Sequence, residues 1–544
     1  MPLLAPAPPR GRHRAARHPD LRRVLPIRGM LRLRPAADIW YKPALSGVVA
    51  VGVPDVVLLV TGHLTLALYT TAGGLCALYA HGMPYAARAR TMAWVVASMW
   101  AGTAISLTTA ACTGSAAVRV AVVAVLAAAY KVGCDAARIG PPANIIFTFV
   151  TATAAFTPQR ADQLPGHLAL VLLTGVFAWL ICLVPAVVRP SGPERLAVAR
   201  ALLAASRQAA FPAGDPALDR SRHVTAVAVQ AAWQSLRQSH RDPAPLARLL
   251  IRAESVAAES DSGPDSEAAD QLAEWSRQLR RGRGVPVVSP GAAEAAELRG
   301  AAADRPPGRR GLPAMVRAFG PGSAYFPIGV RVALGCAAAG WVSMALGVHR
   351  PYWAVVTAAT VFVANTALSW HRAVQRTVGN LTGVAAFTLL TPITHHPVTM
   401  IAVVLVCQIG AEATMSRNYW LGSTFVTPMA LLMTEFAAPQ ATSELVLNRW
   451  LDTCVGAAVG LVACFAIPDR GVGRRADAAL DRVEDAITAA DDRARLATAL
   501  VELRESADTA AGEWWSSALP DERIVSAERR GHRLLADLTT GASR

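Results

Sequence analysis

Twelve apolar stretches, six before a long polar block and six after it, constrain this chain more than any other feature. A bilayer core about 30 Å thick needs roughly 17–25 mostly apolar residues per helix. Six stretches meet or approach this before residue 190, at about 44–61, 64–80, 92–109, 115–133, 142–158 and 166–189. Six more follow residue 325, at about 326–346, 352–369, 376–393, 397–415, 418–437 and 448–467. Only 17% of the residues are charged, against about 25% in soluble proteins. The expectation is an all-α, polytopic membrane protein of about twelve helices, with helical polar domains attached.

The polar segments divide the chain further. Residues 1–42 crowd arginines among prolines and read as a disordered basic arm facing anionic lipid rather than nucleic acid. Met30 is an alternative start within it. The first membrane unit is placed at 43–189, a helical domain and linker at 190–325, the second membrane unit at 326–468, and a helical tail at 469–544. In the central block, Val229, Ala232, Trp233 and Leu236 fall on one helical face, as do Leu480, Val483 and Ile487 in the tail. Arg88, Arg90, Lys131, Arg138, Arg372, Arg376 and Arg417 fall on the N-terminal side of the membrane, whereas Arg160, Arg350 and Arg449 fall opposite. Cytoplasmic loops carry the excess of basic residues, so the N-terminus, central block and C-terminus are expected inside. The Ala/Arg/Gly/Pro bias suggests a high-GC bacterial genome, and the expected location of the multi-pass chain is the bacterial plasma membrane.

The two units share sequence. At an offset of 286 residues, His63 falls on His349, Thr71 on Thr357, Ala72 on Ala358, and Arg90-Thr91 on Arg376-Thr377. Small pairs align too, Ala93/Ala97 with Gly379/Gly383, and such pairs let membrane helices approach closely. Six helices per unit, both starting inside, imply parallel repeats, an architecture in which substrates pass between the halves.

The second unit also resembles a known family. "PYWAVVTAATVFVANTALSWHRAVQRTVGNLTGVAAF" is similar to the signature of the fusaric acid resistance proteins, or aromatic acid exporters, through Pro351, Tyr352, Trp353, Ala354, Thr357, Arg372, Arg376, Gly379 and Gly383. "NRWLDTCVGAAVGLV", with Arg449, Gly456 and Gly460, resembles that family's last membrane helix. The resemblance implies a secondary exporter of aromatic or other organic acids, driven by the proton gradient. An organic-anion channel and a non-transporting scaffold are the alternatives. The first unit departs from the motif, with "LALYTTAGG" in place of the Tyr-Trp-Ala helix.

No Walker-type phosphate loop and no metal-spaced His or Cys pair occurs, so neither an enzyme nor a cofactor is expected. The eight cysteines lie mostly in apolar runs, as small hydrophobes do. Ionisable residues inside membrane helices are costly and mark function by default. Asp55 is the leading proton-coupling candidate, about 17 Å into the first helix and preceded by the helix-opening Pro54; a solvated loop is its alternative setting. Glu412 and Asp452 follow, the latter also a partner for nearby Arg449. Arg90 and Arg376 are placed at the inner mouth, gathering substrate carboxylates or anchoring the topology. Tyr352, Trp353 and His349 are placed at the outer boundary, as an aromatic belt or as lining of the substrate path with Thr357. Gly379, Gly383, Gly456 and Gly460 are assigned to helix packing. The partners expected are the bilayer and a small organic anion, and a homo-oligomer is compatible with the plan.

Overall fold

A computed structural model describes residues 29–212, 216–239, 242–259, 264–288, 312–323, 325–348, 350–437, 442–467, 469, 471–489, 493–513 and 521–540. Among these no strand occurs. The first apolar set comprises α1 (Tyr41–Val60), α2 (Ala67–Gly74, flanked by 3₁₀ turns Leu64–Leu66 and Leu75–Leu78), α3 (Tyr85–Cys112), α4 (Ala116–Ala137), α5 (Asn144–Phe156) and α6 (Leu164–Leu183). A polar set follows, α7 (Gly192–Ala209), α8 (Pro216–Gln238), α9 (Ala244–Glu259) and α10 (Ser266–Arg281). The second apolar set is α11 (Phe326–Ala345), α12 (Tyr352–Val361), α13 (Thr366–Leu390), α14 (Pro397–Met415), α15 (Tyr419–Ala437) and α16 (Thr442–Ala466). The tail is α17 (Val472–Ala489), α18 (Arg493–Ala511) and α19 (Asp521–Thr540).

Seven helices among the described residues are long and apolar enough to cross a membrane: α1, α3, α4, α6 with its flanks, α11, α14 and residues 446–466 of α16. Helices α2 with its flanking turns, α5 and α12 are apolar but shorter. The chain is thus a multi-pass membrane protein, and the short helices need a physical account. α12 has ten residues, which rise about 15 Å, half the hydrocarbon thickness. Residues 362–365 then run without helix. Every residue of α12 is buried, so the short helix is enclosed by protein instead of facing lipid.

The expected single helix over 352–369 is therefore two elements. Asn365 ends the extended segment, and its side chain accepts from the Leu368 N–H at 2.9 Å, a strong helix start. α13 consequently begins ten residues before the expected 376, and Arg372 and Arg376 lie within it. In the other direction, α1 runs unbroken through Pro54. Proline at 54 lacks the N–H that would bond the Ala50 carbonyl. α2 approaches there through Gly74, where a Cβ would stand 2.7 Å from that carbonyl oxygen. The same device recurs in the second set: Pro428 releases the Thr424 carbonyl, and a Cβ on Gly383 would stand 3.0 Å from it.

Helix pairings match between the sets. Within the first, α2 and α3 pack on α6, α3 and α4 on α5, and α1 on α2 and α6; raising each label by ten gives pairings in the second. Across the sets, α1 packs on α14 as α11 packs on α4, and α2 on α15 as α12 on α5. The short α2 and α12 are thus enclosed, each by helices of both sets.

The polar helices form their own cores. Val229, Ala232 and Leu236 are buried in one and Leu480 and Val483 in another, with Trp233 and Ile487 packed beside them. The two blocks touch through α9 with α19 and α8 with α18. The described end of the N-terminal arm is tied down rather than loose. Asn418 Nδ2 donates to the Met30 and Arg32 carbonyls at 2.9 and 3.0 Å, and Gln375 Nε2 to Met30 at 2.8 Å. Asp38 pairs with Arg280 at 2.8 Å and Arg200 at 3.5 Å, joining this strap to the central block.

Candidate functional site, a buried arginine cluster

The second apolar set encloses polar side chains that its sequence spreads over five helices. Arg376 and Asn380 lie one turn apart on α13 and are 4% and 2% exposed. Arg449, Asp452 and Thr453 come from the first half of α16, Thr427 and Tyr419 from α15, Tyr352, Trp353 and Thr357 from α12, and Ser343 from α11. All of these are buried. Glycines permit the approach. A Cβ at Gly379 would strike the Trp420 carbonyl of α15, and one at Gly456 would lie 2.5 Å from the Ala354 carbonyl and 2.7 Å from Thr357 Cβ. Gly460 lies one turn further along the same α12–α16 contact. Gly456→Leu is expected to cost more than the ~1–3 kcal/mol typical of overpacking, because backbone blocks the added atoms; monodisperse yield in detergent checks it.

Asn380 organises the polar groups. Its Oδ1 accepts from Thr427 Oγ1 at 2.7 Å and faces Arg449 Nη2 at 3.5 Å, while its Nδ2 donates to Thr453 Oγ1 at 2.8 Å. The Arg449 guanidinium lies 3.8 Å above the Trp353 ring, a favourable cation–π arrangement. Arg376 Nη1 donates to Tyr419 Oη at 3.2 Å, and Arg372 covers the same ring at 4.0 Å. Arg376 and Arg449 stand within electrostatic reach of one another. Asp452 accepts from Ser343 instead of pairing with Arg449, whose expected ion pair does not form.

The donors are left over. Arg449 Nε and Nη1, Arg376 Nε and Thr357 Oγ1 are buried without a hydrogen-bond partner, as is the acceptor Asp452 Oδ2. Two guanidiniums and one carboxylate leave a positive excess in a place where uncompensated charge is costly. Guanidinium forks match carboxylates bidentately. The arrangement is suited to an anion held between Arg376 and Arg449, with Trp353 as an apolar wall.

The aromatic wall continues into the first set. Phe149 of α5 lies 5.6 Å from Trp353, and Phe156 lies 5.5 Å from Tyr352, centroid to centroid. Tyr352 and Trp353 are therefore interior residues between the two sets and not a lipid-facing belt. Among the other sequence candidates, Arg90 is exposed, and the buried arginine of α3 is Arg88, bonded to the carbonyls of Ala80, His81, Met83 and Cys182. Asp55 is buried rather than in a solvated loop, at the α1–α2 contact, where it faces Thr70 Oγ1 at 3.4 Å and keeps Oδ2 unpartnered. Glu412 sits half-buried one turn from Gln408, which contacts it at 3.4 Å and approaches Gly47 of α1. His349 lies outside the described residues. Sequence reading passed over Asn380, Thr427, Thr453 and Phe149. Asn380, one turn after Arg376 on a buried helix face, carried a readable signal.

Residues 336–463, which contain every second-set member of this cluster, match one family model. That family is the fusaric acid resistance protein-like family. The fusaric-acid-resistance-like region therefore holds the arginines, Asn380 and the aromatic wall, while Phe149 and Phe156 reach it from outside. Over nearly its whole length the chain is 26% identical to the uncharacterized membrane protein YvaC of Bacillus subtilis (strain 168), covering 90% of this chain and 84% of that relative. No solved structure matches significantly.

Proposed function

We propose that the protein is a secondary transporter that exports organic anions, aromatic carboxylates among them, at the expense of the proton gradient. The observation that carries this reading is the pair of buried, neighbouring guanidiniums with unpartnered N–H groups among membrane helices. A scaffold has no use for such a cluster, because two like charges with only the single carboxylate of Asp452 near them weaken the fold they sit in. The flanking Trp353, Tyr352, Phe149 and Phe156 supply faces for an aromatic ring. The reciprocal pairing of α1–α6 with α11–α16 supports two parallel repeats with the path between them. The family resemblance points the same way.

The test is accumulation of labelled benzoate in cells with and without the protein, each with and without an uncoupler. Lower accumulation that returns to the control level with uncoupler is expected. Lowered accumulation that ignores the uncoupler favours a channel, and no difference across a panel of aromatic acids overturns transport.

The proposed orientation places both polar blocks in the cytoplasm. A cysteine at His395, in the exposed turn before α14, is expected to react with an impermeant maleimide on intact cells. One at Glu274 on α10 is expected to react only after permeabilisation. The reverse pattern inverts the topology.

A further inference from the structure

The tail helix α18 ends in a contact unlike ordinary packing of a soluble domain beneath a bundle. Glu513, just beyond it, is 3% exposed and divides its carboxylate between two helices of the second set. Oε1 accepts from Arg331 Nη2 of α11 at 3.1 Å, and both side chains are almost fully buried. Oε2 accepts from the Thr366 N–H at 3.1 Å, the first residue of α13. The Ala367 N–H donates to the Gly512 carbonyl at 2.9 Å. Asn365 Nδ2 donates to the Thr509 carbonyl at 3.2 Å while its Oδ1 caps α13. Arg331 Nε meanwhile donates to Ile467 at the end of α16, at 2.7 Å. One short stretch of tail thus fastens α11, the non-helical junction 362–365, the start of α13 and the end of α16.

We propose that Gly512–Glu513 is a latch that holds the α12–α13 junction shut at the end of the bundle bearing the polar blocks. The junction is the hinge that the fold offers, since four residues there carry no helix and hinges are loop or element-end positions. Glu513 supplies a helix N-terminus with a carboxylate acceptor from elsewhere in the chain, a role in which negative charge is favoured. α18 also touches α8 of the central block, so events in the polar domains reach the junction through a continuous helix. With the latch engaged, α12 keeps Trp353 beneath Arg449; with it released, α12 is free to shift and open the cluster to the polar side. The consequence for transport rests on the anion reading above, but the latch itself does not.

Cys464 reports on it directly. It lies one turn before Ile467, is fully buried, and stands near Ser369, Arg331 and Glu513. Cys76 in the first set is equally buried and distant in sequence, and monitors general unfolding. The measurement is the rate of N-ethylmaleimide modification at each cysteine, read by peptide mass spectrometry on the full-length protein in detergent. Two variants release the latch differently. Glu513→Gln removes the charge opposite Arg331, and breaking one side of a buried pair is strongly destabilising. Gly512→Val leaves every charge in place, but its Cβ would collide with Asn365 Nδ2. In both, Cys464 modification is expected to rise at least about ten-fold, with Cys76 unchanged. Unchanged Cys464 in both variants overturns the latch, and so does an equal rise at Cys76, which makes the contact a general prop of the fold. Neither outcome bears on benzoate export, so the two proposals fail separately.

Discussion

Arg449→Gln is expected to lower the apparent affinity for benzoate by roughly 10- to 150-fold, the equivalent of the ~1.5–3 kcal/mol carried by a hydrogen bond to a charged group. The physical basis is the surroundings of Arg449. Its guanidinium is almost wholly buried, rests on Trp353, touches Asn380 weakly and leaves Nε and Nη1 without partners. A carboxylate meeting those two N–H groups gains a fork of charge-assisted bonds, and the positive excess shared with Arg376 falls at the same moment. Glutamine keeps an N–H donor but neither the charge nor the fork. Arg449→Lys is the informative companion, since it keeps the charge as a single point donor and is expected to fall between wild type and Gln. Uptake into proteoliposomes over a range of benzoate concentrations measures all three. If Gln and wild type saturate alike, the anion does not sit on Arg449.

How much of this was legible in the sequence depended on what each signal measures. The all-helical, multi-pass membrane character came through because hydropathy and helical periodicity act over many residues at once, whereas seven of the expected twelve helices are long and apolar enough to cross among the described residues. The break between α12 and α13 did not, because "VFVANTALSW" stays apolar across it and only Asn365 marks the cap. Counting arginines by loop could not separate Arg88 from Arg90. The two are about 200° apart around one helix, and only packing decides which turns inward. Tyr352 and Trp353 looked like boundary aromatics because they begin a helix. Whether a helix end meets lipid or protein is set by Phe149 and Phe156, some two hundred positions away in the chain. Thr427 and Thr453 carried no signal, threonine being common in membrane helices. The tail contact at Glu513 was hidden for the same reason: its partners are Arg331 and a backbone N–H more than a hundred residues distant.

Asp55→Asn is expected to abolish benzoate export driven by a proton gradient while leaving benzoate exchange across the membrane at no gradient close to wild type. Two observations separate the functions in this way. Asp55 belongs to the α1–α2 contact in the first apolar set, whereas Arg376 and Arg449 belong to α13 and α16 in the second. Asparagine reproduces the shape of the carboxylate and still accepts from Thr70, so the close packing of Gly74 on Ala50 is retained. What it cannot do is bind and release a proton. Coupling requires such a group to communicate with the proposed anion site, and the fold provides a route. α2 bears Thr70 and packs on α15 of the other set, whose Thr427 and Tyr419 hold Asn380 and Arg376. A change at Asp55 that shifts α2 is thus felt at α15. The decisive measurement is a pair of assays on the same proteoliposomes, labelled benzoate efflux with an imposed pH difference and benzoate counterflow without one. Loss of the first with survival of the second assigns Asp55 to coupling. Loss of both makes it a structural residue of the α1–α2 contact, and survival of both moves the coupling role to Glu412, the half-buried carboxylate one turn from Gln408, which approaches α1.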